Sequence, residues 1–203
     1  SGKQELMTQK AGVLSKKRKA ATQPIEKQLT EKLIYLGMPN ARFKCDITAK
    51  NNPDSTGNDF VNFLFSANKN TPLLPVSQIA SGGEISRLML CLKSMIAGAT
   101  ALPTVIFDEI DTGTSGEIAD KMGAIMREMA HDMQVIAITH LPQIAAKGTE
   151  HYNVYKEDSA ETTATYMRRL SMDERISEIA RMLSGAETTT QAVENAKVML
   201  GVG

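Results

Sequence analysis

Two short apolar runs, TVIF at residues 104–107 and QVIAIT at residues 134–139, each end on a chemically active side chain. The first runs into Asp108 and Glu109, with Asp111 two further on, and the second delivers His140. Both suit short buried strands, and the stretch between them, near residues 116–130, predicts a helix. Strands alternating with helices argue for an α/β core with parallel strands. Ligands in open α/β sheets gather beyond the carboxyl ends of the strands. If the two strands are neighbours, Asp108 and His140 share that edge.

A strand ending in a carboxylate pair suits the handling of a cation or a water. Asp108 can hold magnesium, usually through water. Glu109 can accept a proton from a water attacking phosphorus. Acidic residues that merely cap the next turn would look the same. A lone histidine such as His140 often does no more than bond a nearby carbonyl, and His131 and His151 have no comparable setting. The usual partner of such carboxylates, a G-x-x-x-x-G-K-[ST] phosphate loop, does not occur in this chain.

The stretch SGGEISR, residues 81–87, offers a place for phosphate of a different kind. Ser81 and Glu84 have capping-box spacing. Gly82 and Gly83 strip side chains from the first turn, so the helix start presents bare N–H groups to an anion. A well-capped helix with no ligand explains these residues equally well. The helix it opens is expected to run from 82 to about 97.

Residues 3–36 read as a long helix. Met7, Ala11, Leu14, Ala21 and Ile25 fall on a heptad-like stripe that Leu29, Leu33 and Leu36 continue. Arg18 and Gln28 interrupt the seam, which leaves a coiled coil and an ordinary amphipathic helix open. Pro24 either kinks one helix or opens a second. Gly37 is the expected C-terminal cap, followed by Pro39. Residues 42–48 and 60–66 suit strands, joined by the turn-rich KNNPDSTGND, and a loop from Asn68 leads on to Ser81. Residues 152–156 and 165–170 suit a strand pair around the polar EDSAETT. Helices near 173–183 and 189–200 close the chain.

The chain has 203 residues, 23 basic and 23 acidic side chains, and a formal charge of zero. Nothing global marks it for nucleic acid or for a membrane. Residues 1–32 are nevertheless clearly basic, with eight lysines and arginines against three glutamates, and Lys16, Lys17, Arg18 and Lys19 are consecutive. Such a run reads as a nucleic-acid patch or as a solvated helix face. Cys45 and Cys91 are far apart and read as two buried thiols of a reducing compartment. No apolar run approaches membrane-spanning length, and the polar start lacks a signal-peptide core. Ser1-Gly2 has the look of a cloning scar.

In order and spacing these motifs resemble the C-terminal half of an ABC-type ATPase head. The signature motif is Ser81-Gly82-Gly83-Glu84, the Walker B strand ends in Asp108-Glu109, the D-loop lies near residues 111–116 and the switch histidine is His140. Glu84 stands where transporter subunits commonly carry glutamine, which tilts the resemblance toward the SMC-like ATPases of chromosome maintenance and repair. ASGGEISRLMLCLK, VIFDEIDTGTSG, ITHLPQIAAKG and ARMLSGAETTTQAVENAK together resemble the RecN family of bacterial recombination and repair proteins. One departure is Ser115, which occupies the D-loop position where related heads carry aspartate.

The resemblance implies a fragment. Residues 1–36 would be the foot of a returning coiled coil, and residues 37–203 the C-terminal lobe of the head. That lobe is an α/β fold with a mostly parallel sheet flanked by helices. The phosphate loop would lie in an N-terminal lobe outside this chain. The resemblance further implies ATP and Mg²⁺ as ligands, with Asp108 on the metal, Glu109 as general base and His140 at the γ-phosphate. Ser81, Gly82, Gly83 and Glu84 would act on nucleotide held by a second head, with Asp111 and Ser115 in the D-loop. The implied partners are the N-terminal lobe, the second head and DNA, with no membrane, in the bacterial cytoplasm at the nucleoid. Double-strand-break repair is the implied process. Alternatives left open are another SMC-like, cohesin-like or Rad50-like head, a transporter subunit, and a DNA tether in which ATP only gates dimerisation. The chain by itself is expected not to hydrolyse ATP.

Overall fold

A computed structural model describes residues 2–79, 81–97, 102–158, 162–185 and 187–202. Ser1 of the expected scar, the last residue of the loop before Ser81 and the centre of EDSAETT lie outside the described residues. The chain divides into two compact units, Ser1–Met95 and Ile96–Gly203.

The first unit is built on helix α1 (Gly2–Tyr35), which carries Pro24 in its interior without a break. The missing N–H frees the carbonyl four residues back, at Ala20, and both positions are exposed, so that carbonyl lies on the solvent side of the helix. One residue earlier, Thr22 donates its hydroxyl to the Lys19 carbonyl at 2.9 Å. The helix ends at Gly37, whose φ of 78° needs no Cβ to be tolerated. There Met38 N–H reaches back to the Leu33 carbonyl at 3.0 Å.

The two ends of α1 live in different surroundings. Leu29, Leu33 and Leu36 are fully buried, whereas Leu6, Met7, Val13 and Leu14 remain exposed. The buried end packs on the hairpin of β1 (Arg42–Asp54) and β2 (Gly57–Ser66). Truncating Leu33 to alanine there removes contacts from a closed core and costs about 2–5 kcal/mol. The hairpin is longer than the sequence predicts. Most of the expected KNNPDSTGND loop continues the two strands, with pairing from Arg42↔Ser66 out to Asp54↔Gly57. An irregularity between Ala49 and Asp54 takes up Pro53, which cannot donate to a ladder. Asp54 closes the turn by accepting from Thr56 N–H at 2.8 Å. A short strand β3 (Leu74–Pro75) adds to β2, and α2 (Gly82–Ala97) follows.

In the second unit β4 (Thr104–Asp108) and β5 (Gln134–Ile138) pair in parallel, joined through α3 (Gly116–Met129). This is the strand–helix–strand unit expected from the sequence. Helix α3 buries Ala119, Met122, Ile125, Met126 and Met129 on one face. A methyl group on its Gly123 would stand 3.3 Å from the Gln143 carbonyl oxygen, so glycine admits the short helix α4 (Pro142–Ala145) to close contact. The expected strand pair is β6 (Tyr152–Asp158) with β7 (Thr163–Arg169), antiparallel. Then α5 (Met172–Ser184) starts on a capping box of Ser171 and Glu174, and α6 (Thr190–Leu200) on a Thr189 cap. Ile179, Ala180, Ala192 and Ala196 make the core between these helices, with Ala146. The parallel sheet among the described residues is the β4–β5 pair, and the remaining strands pair antiparallel.

Candidate functional site

Alternation along β4 decides which way its chemistry faces. Val105 and Phe107 are buried, while Ile106 and Asp108 are exposed. Side chains two apart share a face of a strand, so Asp108 stands on the same open face as Ile106. Parallel pairing sets Ile106 opposite Ile136 and Asp108 opposite Ile138. Ile106, Ile136 and Ile138 are 59%, 41% and 53% exposed, an open apolar face ending in a carboxylate.

Glu109 follows at φ 48°, the only described residue other than glycine in the left-handed region. A side chain there costs roughly 1–2 kcal/mol, and such strain gathers at functional positions. The turn beyond holds it in place. Thr112 returns to the Glu109 carbonyl through N–H at 3.3 Å and through its hydroxyl at 2.9 Å. Thr114 does the same to the Asp111 carbonyl at 3.1 and 2.7 Å. Glu109 itself is exposed.

Asp111 is different, since it is fully buried. Its Oδ2 accepts a short hydrogen bond from the Thr139 hydroxyl at the end of β5. That hydroxyl accepts in turn from Leu141 N–H at 3.0 Å. His140 Nδ1 lies 3.6 Å from the same Asp111 oxygen, with 70% of the histidine side chain in solvent. The structure therefore brings Asp108, Glu109, Asp111, Thr139 and His140 to one end of the parallel pair. Thr139 was missed in the sequence; its signal is a hydroxyl directly before the histidine at a strand end.

Ser115 caps α3 in extended conformation, yet its hydroxyl makes no capping bond and is exposed. In the first unit Ser81 precedes α2, where Ile85 N–H reaches its carbonyl at 3.1 Å. A Cβ added at Gly82 would meet nothing within 4 Å, so the helix start is open on that side. Arg87 anchors this end by donating to the Gly83 carbonyl at 3.1 Å and to the Leu36 carbonyl, at the end of α1, at 3.3 Å. Glu84 is half-buried.

No group of three or more metal-ligating side chains occurs among the described residues. Magnesium keeps several waters and takes one or two carboxylates together with substrate phosphates, so a lone strand-end Asp108 fits that ion and not a protein-caged one. A concavity lined by Thr149, Glu150, Arg169, Leu170, Ser171, Met172 and Arg175 includes none of the motif residues. Its cations are already engaged: Arg169 pairs with both oxygens of Glu150 at 2.6 Å, and Arg175 donates to the Thr149 and Gly148 carbonyls. Both cysteines are free and buried, and burial pushes the Cys91 thiol up to about 12. No described helix is long and apolar enough to cross a membrane.

No family model matches the chain. Among curated proteins it is 39% identical over 197 residues to the DNA repair protein RecN of Rickettsia typhi, covering 97% of this chain and 36% of that protein. It is 37% identical over 191 residues to RecN of Vibrio cholerae, covering 94% and 34%. It is 36% identical over 197 residues to RecN of Haemophilus influenzae, covering 97% and 35%. The chain thus spans about a third of the length of the curated relatives it matches. The Smc head domain with a coiled coil and joint from Pyrococcus yayanosii superposes with a TM-score of 0.59 at 19% identity, over 76% of this chain and 28% of that one. The Smc head domain bound to the C-terminal domain of ScpA from Pyrococcus furiosus does so at 0.56 and 18%, over 87% and 42%. A chain described under ATP-driven dimerization and DNA-stimulated activation of SMC ATPases also gives 0.56 at 18% identity, over 87% of this chain and 99% of that one. The fold is that of an SMC ATPase head.

Proposed function

Over nearly its whole length the chain is similar to the C-terminal part of the RecN DNA repair proteins, and we propose that it forms the C-terminal lobe of an ATP-hydrolysing head that serves recombinational repair of double-strand breaks. The observation that carries this reading is the end of the parallel pair, where Asp108, the strained Glu109 and His140 converge. Residues 1–36 are the foot of a coiled coil and residues 37–203 the lobe. The exposed apolar stripe on the first half of α1 supports a partner helix there.

Bound ATP and Mg²⁺ supply the scissile phosphoanhydride and the charge that makes it reactive. Asp108 holds the ion through its carboxylate, by water or directly. Glu109 orients a water and takes its proton. His140 stands at the γ-phosphate. Ser81, Gly82 and Gly83 offer the open start of α2 to nucleotide carried by a second head, so that two heads close on ATP.

The open face of Ile106, Ile136 and Ile138 supports an N-terminal lobe as the first partner. Parallel sheets are ordinarily covered on both faces. The curated relatives have about twice this length of further chain with which to cover it. DNA binding, and action at the nucleoid, belong to the whole protein.

ATP hydrolysis by the full-length protein, with and without DNA, tests the reading. Magnesium-dependent turnover that falls away in Glu109→Gln supports it. Nucleotide-gated DNA tethering without turnover would replace it by the structural alternative.

A further inference from the structure

We infer that Asp111 is a positioning residue that determines which nitrogen of His140 carries a hydrogen and which faces a ligand. This rests on the reading of His140 as the γ-phosphate residue, and it concerns how that residue is prepared. Three observations carry it. Asp111 has no exposed surface, so its carboxylate does not itself reach a ligand. Its Oδ2 is bonded to Thr139, while its Oδ1 is buried with no hydrogen-bond partner. Nδ1 of His140 is 3.6 Å from Oδ2 of the same carboxylate.

A buried carboxylate with an empty acceptor is costly, and donors are drawn to it. The Thr139 hydroxyl is engaged at Oδ2, and an N–H on His140 Nδ1 would stand near that same oxygen. At 3.6 Å the contact is longer than a hydrogen bond. A small turn of the exposed ring shortens it, because most of that side chain is in solvent and meets little resistance. The bond one ring nitrogen makes determines the hydrogen on the other. With Nδ1–H directed at Asp111, Nε2 is left for the ligand.

The same contact ties two loops together. Asp111 belongs to the turn after β4, Thr139 and His140 to the turn after β5. The Leu141 N–H bond to Thr139 extends the link into the start of α4.

The test is ¹⁵N NMR of the imidazole nitrogens in the nucleotide-free full chain. The spectra are recorded at a pH high enough that the imidazole signals no longer change with pH, so that the neutral ring is read. With three histidines in the chain, His140→Ala assigns the signals. The parent is expected to carry the His140 hydrogen mainly on Nδ1. Asp111→Ala, which removes the acceptor, should return it to the Nε2–H majority of a free imidazole, and Thr139→Val should leave it on Nδ1. An Nε2–H majority in the parent overturns the proposal without recourse to any variant. So does a folded Asp111→Ala in which the tautomer is unchanged. Because no nucleotide enters this measurement, it stands apart from the ATP reading, which His140→Ala in a hydrolysis assay of the full-length protein decides separately.

Discussion

Arg18 of α1 donates to the buried carboxylate of Asp59 in β2 at 3.2 Å, with a second guanidinium bond to the Thr56 carbonyl at 2.9 Å. Ser15 binds the other Asp59 oxygen at 2.7 Å. One of the two residues that interrupt the heptad stripe thus fastens the helix to the hairpin. It is also removed from the basic run, which leaves Lys16, Lys17 and Lys19 exposed.

The Ser15 hydroxyl and, after it, Arg18 hold the Asp59 carboxyl below its ordinary range, against the effect of burial. A lowered folded pKa contributes stability that is complete above the unfolded value, about 3.9. It is lost as pH falls through the folded value. Asp59→Asn should therefore lower the melting temperature at pH 7, and the gap from the parent should close below about pH 4. Melts of both proteins from pH 7 to pH 2 check this. A gap that does not change with pH would remove the ionised pair from the explanation.

Glu109→Gln keeps shape but removes the proton acceptor. Hydrolysis by the full-length protein should fall by about 10²–10⁴-fold, with ATP binding retained and nucleotide-bound dimers accumulating. Turnover at the parent rate would exclude Glu109 as the base.

Strain at Glu109 makes a further forecast. Asparagine tolerates the left-handed region better than glutamate does. Glu109→Asn should raise the stability of the chain by about 1 kcal/mol while abolishing turnover. Chemical denaturation measures the first and phosphate release the second. Loss of stability in this variant would show that the glutamate side chain has a structural partner.

Ser81→Arg fills the open helix start and should block head pairing without affecting ATP binding in one head. Mixing it with a phosphate-loop variant leaves one composite site of two intact, so part of the activity should return. Absence of recovery at every mixing ratio counts against action in trans.

Replacing Lys16, Lys17 and Lys19 with glutamine in the full-length protein should weaken DNA binding. The slope of log K against log salt should fall by about 1 for each lysine that touches phosphate. Arg18 is left in place because its loss would act through the fold. An unchanged salt slope makes the run an ordinary solvated face.

The chain alone should not hydrolyse ATP, and adding a separately made N-terminal lobe should restore magnesium-dependent turnover. Ile138→Glu, on the open face of β5, should prevent that restoration without unfolding the chain, since the position is already exposed. Robust turnover by the chain alone would overturn the split-head reading.

Local order was legible from sequence alone. TVIF and QVIAI are strands because their β-branched residues suit a pleated surface, and α3 between them shows its apolar period plainly. Gly37 ends α1 because the left-handed cap wants no Cβ. The motif residues could be named for the same reason, since each sits at an element end that its neighbours in the chain define. The extent of β1 and β2 was not legible. Polar residues and Pro53 look like a loop until a ladder forms across them, and the ladder depends on the facing strand. Pro24 could be read as a break because the sequence does not say that its side of the helix faces water.

Asp111 shows the division most clearly. Its sequence context marks it as one more loop carboxylate beside Asp108 and Glu109. Only parallel pairing of β4 with β5 brings it to Thr139 and His140, 28 and 29 positions away along the chain. Burial, unlike secondary structure, is a sum over everything that packs around a group. No local pattern holds that sum, so its place beneath the histidine was decided by the tertiary structure alone.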